Sequence, residues 1–177
     1  MRILVAGIGN IFFGDDAFGC EVAQKLLRRE WPEGVRVEDF GIRGYDLAYA
    51  IMDGWDMVVL VDATPHRQPP GTVSLIDPDL TVLESDMGAI VNAHGLNPVS
   101  VLQMVRSLGG TLPRLYLVGC EPAVLETNEL GLSEMVKAAV PQAAAQIESL
   151  VRSLNEGKRS DAGGLFLEPL SSVPPWH

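Results

Sequence analysis

The chain has 177 residues, 47% of them hydrophobic, and a formal charge of −10. That length suits one domain with a proper core, and that apolar share argues against disorder over most of the chain. The acidity excludes nucleic-acid backbones and anionic membrane surfaces as partners. No apolar run approaches the ~20 residues that span a bilayer, and no signal-peptide pattern precedes the first strand, so the sequence predicts a cytoplasmic protein. Cys20 and Cys120 match no zinc or redox spacing. Both are expected to be small buried hydrophobes and not catalytic thiols.

The run Ile3 to Ile8 reads as a strand buried on both faces. It passes through Gly7-Ile8-Gly9-Asn10 into Ile11-Phe12-Phe13-Gly14, which delivers two adjacent acids, Asp15 and Asp16, to an amphipathic segment. Strand, glycine turn and helix suggest a dinucleotide site. The third glycine of that fingerprint would fall at position 12, where Phe12 stands. The two acids would also repel a pyrophosphate at a helix N-terminus. Asp15 is explained as a helix N-cap that complements the helix dipole. Asp16 is left over.

Residues 16–29 place Cys20, Ala23 and Leu27, with Val22 and Leu26, along one side at helical spacing. Gly19 inside that helix costs about 1 kcal/mol relative to Ala and points to a close backbone approach. Trp31-Pro32-Glu33-Gly34 breaks the chain; 35–40 alternate as a strand that closes on Asp39. A turn at 41–44 leads to a short helix, 45–52. Residues 57–62 form the most apolar strand and end on Asp62. A loop, 65–71, carries His66 as a surface residue; a strand at 72–76 and a polar surface excursion at 77–93 follow. His94-Gly95-Leu96 opens a helix that Asn97 caps, with Pro98 at its first position and Gly109-Gly110 at its end. Residues 114–120 read as a strand. Residues 133–140 and 141–154 read as helical, with Pro141 kinking or restarting the helix. The alternation predicts a single three-layer α/β/α domain over 1–155, with a largely parallel or mixed sheet of about five strands. Residues 156–177, rich in glycine, serine and proline and ending on His177, read as a C-terminal tail.

In open α/β sheets, sites gather outside the carboxyl ends of the strands. Asp16 follows the first strand, Asp39 closes the second, Asp62 ends a later one and His94 opens a helix. Two carboxylates and one imidazole suit a borderline divalent metal such as nickel or zinc, and leave positions open for water or substrate. Plainer duties fit the same residues, because acids at strand ends also cap helices or face solvent. No Ser-His-Asp order or reactive cysteine is visible, which argues against an acyl-enzyme route. What remains is water activated by a carboxylate or by a metal.

Taken together, Gly7-Ile8-Gly9-Asn10, Asp15-Asp16, Val61-Asp62-Ala63, His94-Gly95-Leu96 and Val118-Gly119-Cys120-Glu121-Pro122 resemble the maturation endopeptidases of NiFe hydrogenases. The resemblance runs from the first strand to about residue 154. It implies an endopeptidase that removes the C-terminal extension of the hydrogenase large-subunit precursor after nickel insertion. It also implies metal contact through Asp16, Asp62 and His94, with Asp39 as a further functional acid. The implied nickel arrives with the substrate, and zinc or cadmium can stand in for it. The implied partner is the precursor, with neither nucleic acid nor membrane.

Two positions depart from the family pattern. Its first acid is commonly glutamate, one methylene longer than Asp16. Its turn after the second strand is richer in glycine than Phe40-Gly41-Ile42-Arg43-Gly44, where Arg43 is either a substrate contact or a partner for Asp39. Two rival readings stand beside this one. A non-enzymatic assembly factor or metallochaperone would use the same three ligands without cleaving anything. Another hydrolase, resembling peptidyl-tRNA hydrolase, would need the basic patch this chain lacks.

Overall fold

Six apolar residues in a row, Ile3–Ile8, form β1, and every one of them is buried. Alternate side chains of a strand face opposite ways, so such a strand needs cover on both sides. It has it. Ile3 and Val5 join one apolar cluster with Phe18, Val22 and Leu26, whereas Leu4, Ala6 and Ile8 join another with Leu47, Ile51 and Val101. The computed structural model describes residues 1–78, 97–125 and 130–155, so the predicted tail and most of the predicted 77–93 excursion lie outside the described residues.

The chain runs β1, a 3₁₀ turn at Gly14–Ala17, α1 (Phe18–Leu26), β2 (Val35–Gly41), α2 (Gly44–Ile51), β3 (Met57–Ala63) and β4 (Val73–Ile76). Then follow α3 (Pro98–Ser107), β5 (Arg114–Cys120) and α4 (Glu134–Asn155). The strands form one five-stranded sheet in the order β2-β1-β3-β5-β4. All neighbours are parallel except β4, which pairs antiparallel with β5. This is the mixed, mostly parallel sheet of the expected three-layer domain. Helices α1 and α4 cover one face, α2 and α3 the other. Each fully buried Leu, Ile or Val contributes about 1.5–3 kcal/mol, so it is burial of one face, more than intrinsic propensity, that holds helices as short as α1 and α2.

Local signals explain the ends. Asn97 accepts from Ser100 N at 2.9 Å while Ser100 Oγ accepts from Asn97 N at 3.2 Å, a reciprocal cap with Pro98 at the first helical position. The helix does not restart at Pro141, since α4 is one helix of 22 residues with Pro141 inside it. Pro141 lies on the exposed side, where water can satisfy the carbonyl that its missing N–H leaves free. The first helix is also shorter than the 16–29 expected, because residues 14–17 wind as a 3₁₀ turn.

Gly19 decides how α1 sits. A Cβ there would lie 2.1 Å from Val61 O and 2.2 Å from Ile8 O. Only hydrogen lets the helix press onto the ends of β1 and β3 together, which is the close approach its presence in a helix predicts. β1 is also where the chain's progress through the sheet reverses, with β2 on one side of it and β3 on the other. Between the carboxyl ends of β1 and β3 lies the topological switch point, the crevice where α/β sheets place their ligands.

Candidate active site

The turn after β1 is built around Asp16. Gly9 has φ +139, and a Cβ there would lie 1.8 Å from Asp16 O, so glycine alone lets the chain fold back over itself. The returning Asp16 carboxylate accepts from Asn10 N at 2.9 Å. Asn10 in turn accepts from Phe12 N through its side chain at 3.0 Å, an Asx turn, and from Phe13 N through its carbonyl at 3.1 Å. Asp16 N closes the circuit on Phe13 O at 3.0 Å.

Asp62, at the end of β3, is 4% exposed, and its Oδ1 accepts from Ala63 N at 2.9 Å. Burial holds its carboxyl well above the ordinary carboxylate range, and the charge of Asp16 pushes the same way. Burial raises Asp16 too, against the opposing hydrogen bond from Asn10. Burial therefore favours the protonated form of both carboxyls, and at Asp62 the neighbouring charge of Asp16 adds to it.

Asp39 reaches the same neighbourhood from β2. Its Oδ1 accepts from Gly41 N and its Oδ2 from Gln24 Nε2 of α1, each at 3.0 Å. Arg43 does not pair with that carboxylate. It donates to the Asp39 main-chain oxygen at 2.5 Å and faces Asp46 and Glu38.

Cys20 shows that the acids converge. Its buried thiol donates to Gly9 O at 3.4 Å, and its pKa is driven far up by burial, then by the charges of Asp39, Asp16 and Asp62. A thiol surrounded by carboxylates stays protonated and is no nucleophile at neutral pH. Cys120 is pushed up to about 12 by burial and by the charges of Asp15 and Glu121. Both cysteines are free and buried, as expected, and Cys20 in addition lies beside the carboxylates.

The structure therefore brings Asp16, Asp39 and Asp62 to one edge. His94 lies outside the described residues. Among the described residues no group of three His, Cys, Asp or Glu side chains has the spacing to hold a metal ion. Asp15, expected as the cap of the adjacent helix, makes no such hydrogen bond. It is 1% exposed and accepts instead from Ala123 N, Val124 N, Ser133 N and Ser133 Oγ at 2.7–3.0 Å. Ser133 immediately precedes α4, so Asp15 complements the start of that distant helix. His66 is half-buried and not a free surface residue. Its N–H, with that of Gln68, donates to the Glu121 carboxylate, which pins the loop after Asp62 to the end of β5. Sequence reading missed Cys20 and Gln24 as neighbours of the acids. Their spacing of four and eight residues from Asp16, successive steps along one helix face, was the available signal.

Burial of Asp62 has a consequence for stability. Its folded pKa lies above the unfolded one, so the native state holds the proton more tightly. The associated stability is full below the ordinary carboxylate pKa and is lost as pH rises through the folded value. Asp62→Asn keeps an acceptor for Ala63 N–H and removes the buried charge. The variant is expected to be about 1–2 kcal/mol more stable than the parent near pH 8 by urea unfolding. That gain should shrink to nothing by about pH 4. A variant less stable than the parent at pH 8 contradicts this.

The comparisons agree with the geometry. A family model described as hydrogenase maturation protease matches residues 20–150. The hydrogenase 2 maturation protease of Escherichia coli is 32% identical over 155 residues, 86% of this chain and 92% of that protein. Among solved structures, the hydrogenase maturating endopeptidase HybD from E. coli superposes with a TM-score of 0.71 at 31% identity, covering 87% of this chain and 94% of that one. The HycI maturation protease of Thermococcus kodakarensis superposes with a TM-score of 0.61 at 27% identity, covering 85% and 92%. The carboxylate crevice thus sits on the scaffold of known peptidases, and the chain belongs to the hydrogenase maturation protease family.

Proposed function

We propose that this peptidase removes the C-terminal extension of a NiFe hydrogenase large-subunit precursor once nickel is in place, and that it does so in the cytoplasm. The observation that carries the reading is the Asp16–Asp62 pair, delivered by β1 and β3 into the crevice at the switch point. Among the described residues no helix is long and apolar enough to cross a membrane. The cluster's charge favours a cation in whatever it binds.

Asp16, Asp62 and His94 are the groups that would face the nickel carried by the precursor, and zinc or cadmium in its place would meet the same donors. Oxygen and imidazole ligands suit all three ions. Hydrolysis asks little more of the chain's own residues. An ionised carboxylate of the cluster takes a proton from water, the water oxygen attacks the scissile carbonyl carbon, and the departing amine receives a proton as the C–N bond breaks. Asp39, its carboxylate oriented by Gly41 N and Gln24 Nε2, is placed to hold the water or the substrate chain.

Nickel-loaded and nickel-free precursor, each incubated with this protein, test the reading by mass spectrometry. Loss of the C-terminal extension from the loaded form alone is expected. Equal cleavage of both forms would overturn nickel recognition, and cleavage of neither would overturn the substrate.

A further inference from the structure

Beside the carboxylates stands an apolar ridge that the fold itself does not need. Ile11, Phe12 and Phe13 are 52%, 64% and 45% exposed, and Ile42 is 65% exposed. Three consecutive large hydrophobics in water lower solubility and contribute little to the core, so a run of this kind marks a contact surface. The turn that carries them is rigid, because Asn10 accepts from both Phe12 N and Phe13 N while Asp16 clasps the turn at each end. The loop bearing Ile42 is tied to it by Gly9 N donating to Gly41 O at 3.1 Å. The two loops form one ridge, wired through Asp16 to the candidate catalytic centre.

We propose that this ridge docks an apolar segment of the polypeptide being cleaved, immediately beside its scissile bond. The proposal rests on the peptidase reading above. An endopeptidase must hold its substrate next to the reacting groups, and the ridge is continuous with them. Charge narrows the occupant further. Asp16, Asp39 and Asp62 disfavour an acidic segment, and the nearby Arg43 guanidinium is already engaged by Asp39 O and Asp46. The segment is therefore apolar and without carboxylates. Because the turn is preorganised, little ordering entropy is lost when it is gripped.

The test is the double variant Phe12→Ser/Ile42→Ser with nickel-loaded precursor. KM is expected to rise about 10-fold or more, with kcat within about 2-fold, because the ridge holds the chain and takes no part in the chemistry. Leu27→Ser, which removes an exposed apolar side chain at the far end of α1, should change neither value. Circular dichroism and thermal unfolding confirm that the double variant folds. An unchanged KM overturns the proposal. So does a ridge that serves another occupant, seen as dimerisation of the parent chain, or its binding to phosphatidylcholine vesicles, abolished by the double variant while KM stays constant. Calorimetric titration with the precursor separates this claim from the peptidase reading. If the parent binds the precursor but does not cleave it, the peptidase reading fails, and about 10-fold weaker binding by the variant still upholds docking.

Discussion

Asp16→Ala and Asp62→Ala are each expected to lower precursor cleavage by about 10³-fold, with the fold preserved. The two side chains lie at the carboxyl edge of the sheet, and neither joins the apolar clusters on its faces. Either truncation leaves only one member of the Asp16–Asp62 pair beside Asp39. At Asp62, burial raises the pKa most and the charge of Asp16 adds to it, so Asp16→Ala removes the smaller of the two causes. Asp39→Ala should be milder, because Asp39 is drawn into hydrogen bonds with Gly41 and Gln24 and sets geometry more than proton balance. Single-turnover cleavage with each variant in excess over precursor checks the ranking. An Asp62→Ala protein that cleaves at the parental rate would remove the carboxylate pair from the mechanism.

The largest stability effect is expected at Asp15, whose carboxylate is taken up by hydrogen bonds within the fold. Its carboxylate satisfies three backbone N–H groups and the Ser133 hydroxyl, and it joins the turn before α1 to the segment before α4 across 118 residues of chain. Truncation to Ala leaves those donors in a buried pocket without an acceptor, and hydrogen bonds to a charged group contribute about 1.5–3 kcal/mol each. Because the loop can partly relax toward solvent, a loss of about 3–5 kcal/mol is expected, and at about 2–4 °C per kcal/mol for a chain of this size the melting temperature should fall by roughly 10 °C. Asp15→Asn should recover a part of this, since its amide keeps one acceptor oxygen. Calorimetric unfolding of both variants decides the matter. A shift of under about 2 °C for Asp15→Ala would show that water replaces the carboxylate.

Some features were legible because they depend only on near neighbours in the chain. Apolar runs buried on both faces announced β1 and β3, and the Asn97-Pro98 pair announced the start of α3. Gly19 stood out because a glycine costs stability in a helix unless something comes close, and Val61 O and Ile8 O do. Strand ends could be read from the pattern, so Asp16, Asp39 and Asp62 were expected at the carboxyl edge of the sheet, where the structure has them. Of the two expectations for Pro141, a kink or a restart, the restart does not occur, because on the exposed side water satisfies the carbonyl it leaves free.

What the sequence determined by itself is the alternation of strands and helices, the acidic edge and the family, since each rests on residue type and spacing along the chain. Tertiary structure alone decided the partners of buried polar groups. Asp15 was legible as a capping acid, but the helix it serves begins beyond Ser133 and not beside it, because a carboxylate satisfies whichever donors the fold brings within 3 Å. Nor does the spacing of Cys20 from Asp39 or of Glu121 from His66 reveal that the thiol lies among three carboxylates or that the glutamate anchors the loop after β3. Those pairings arise where parallel strands, far apart in sequence, end side by side, and the crossover that brings them there buries the acids and shifts their titration.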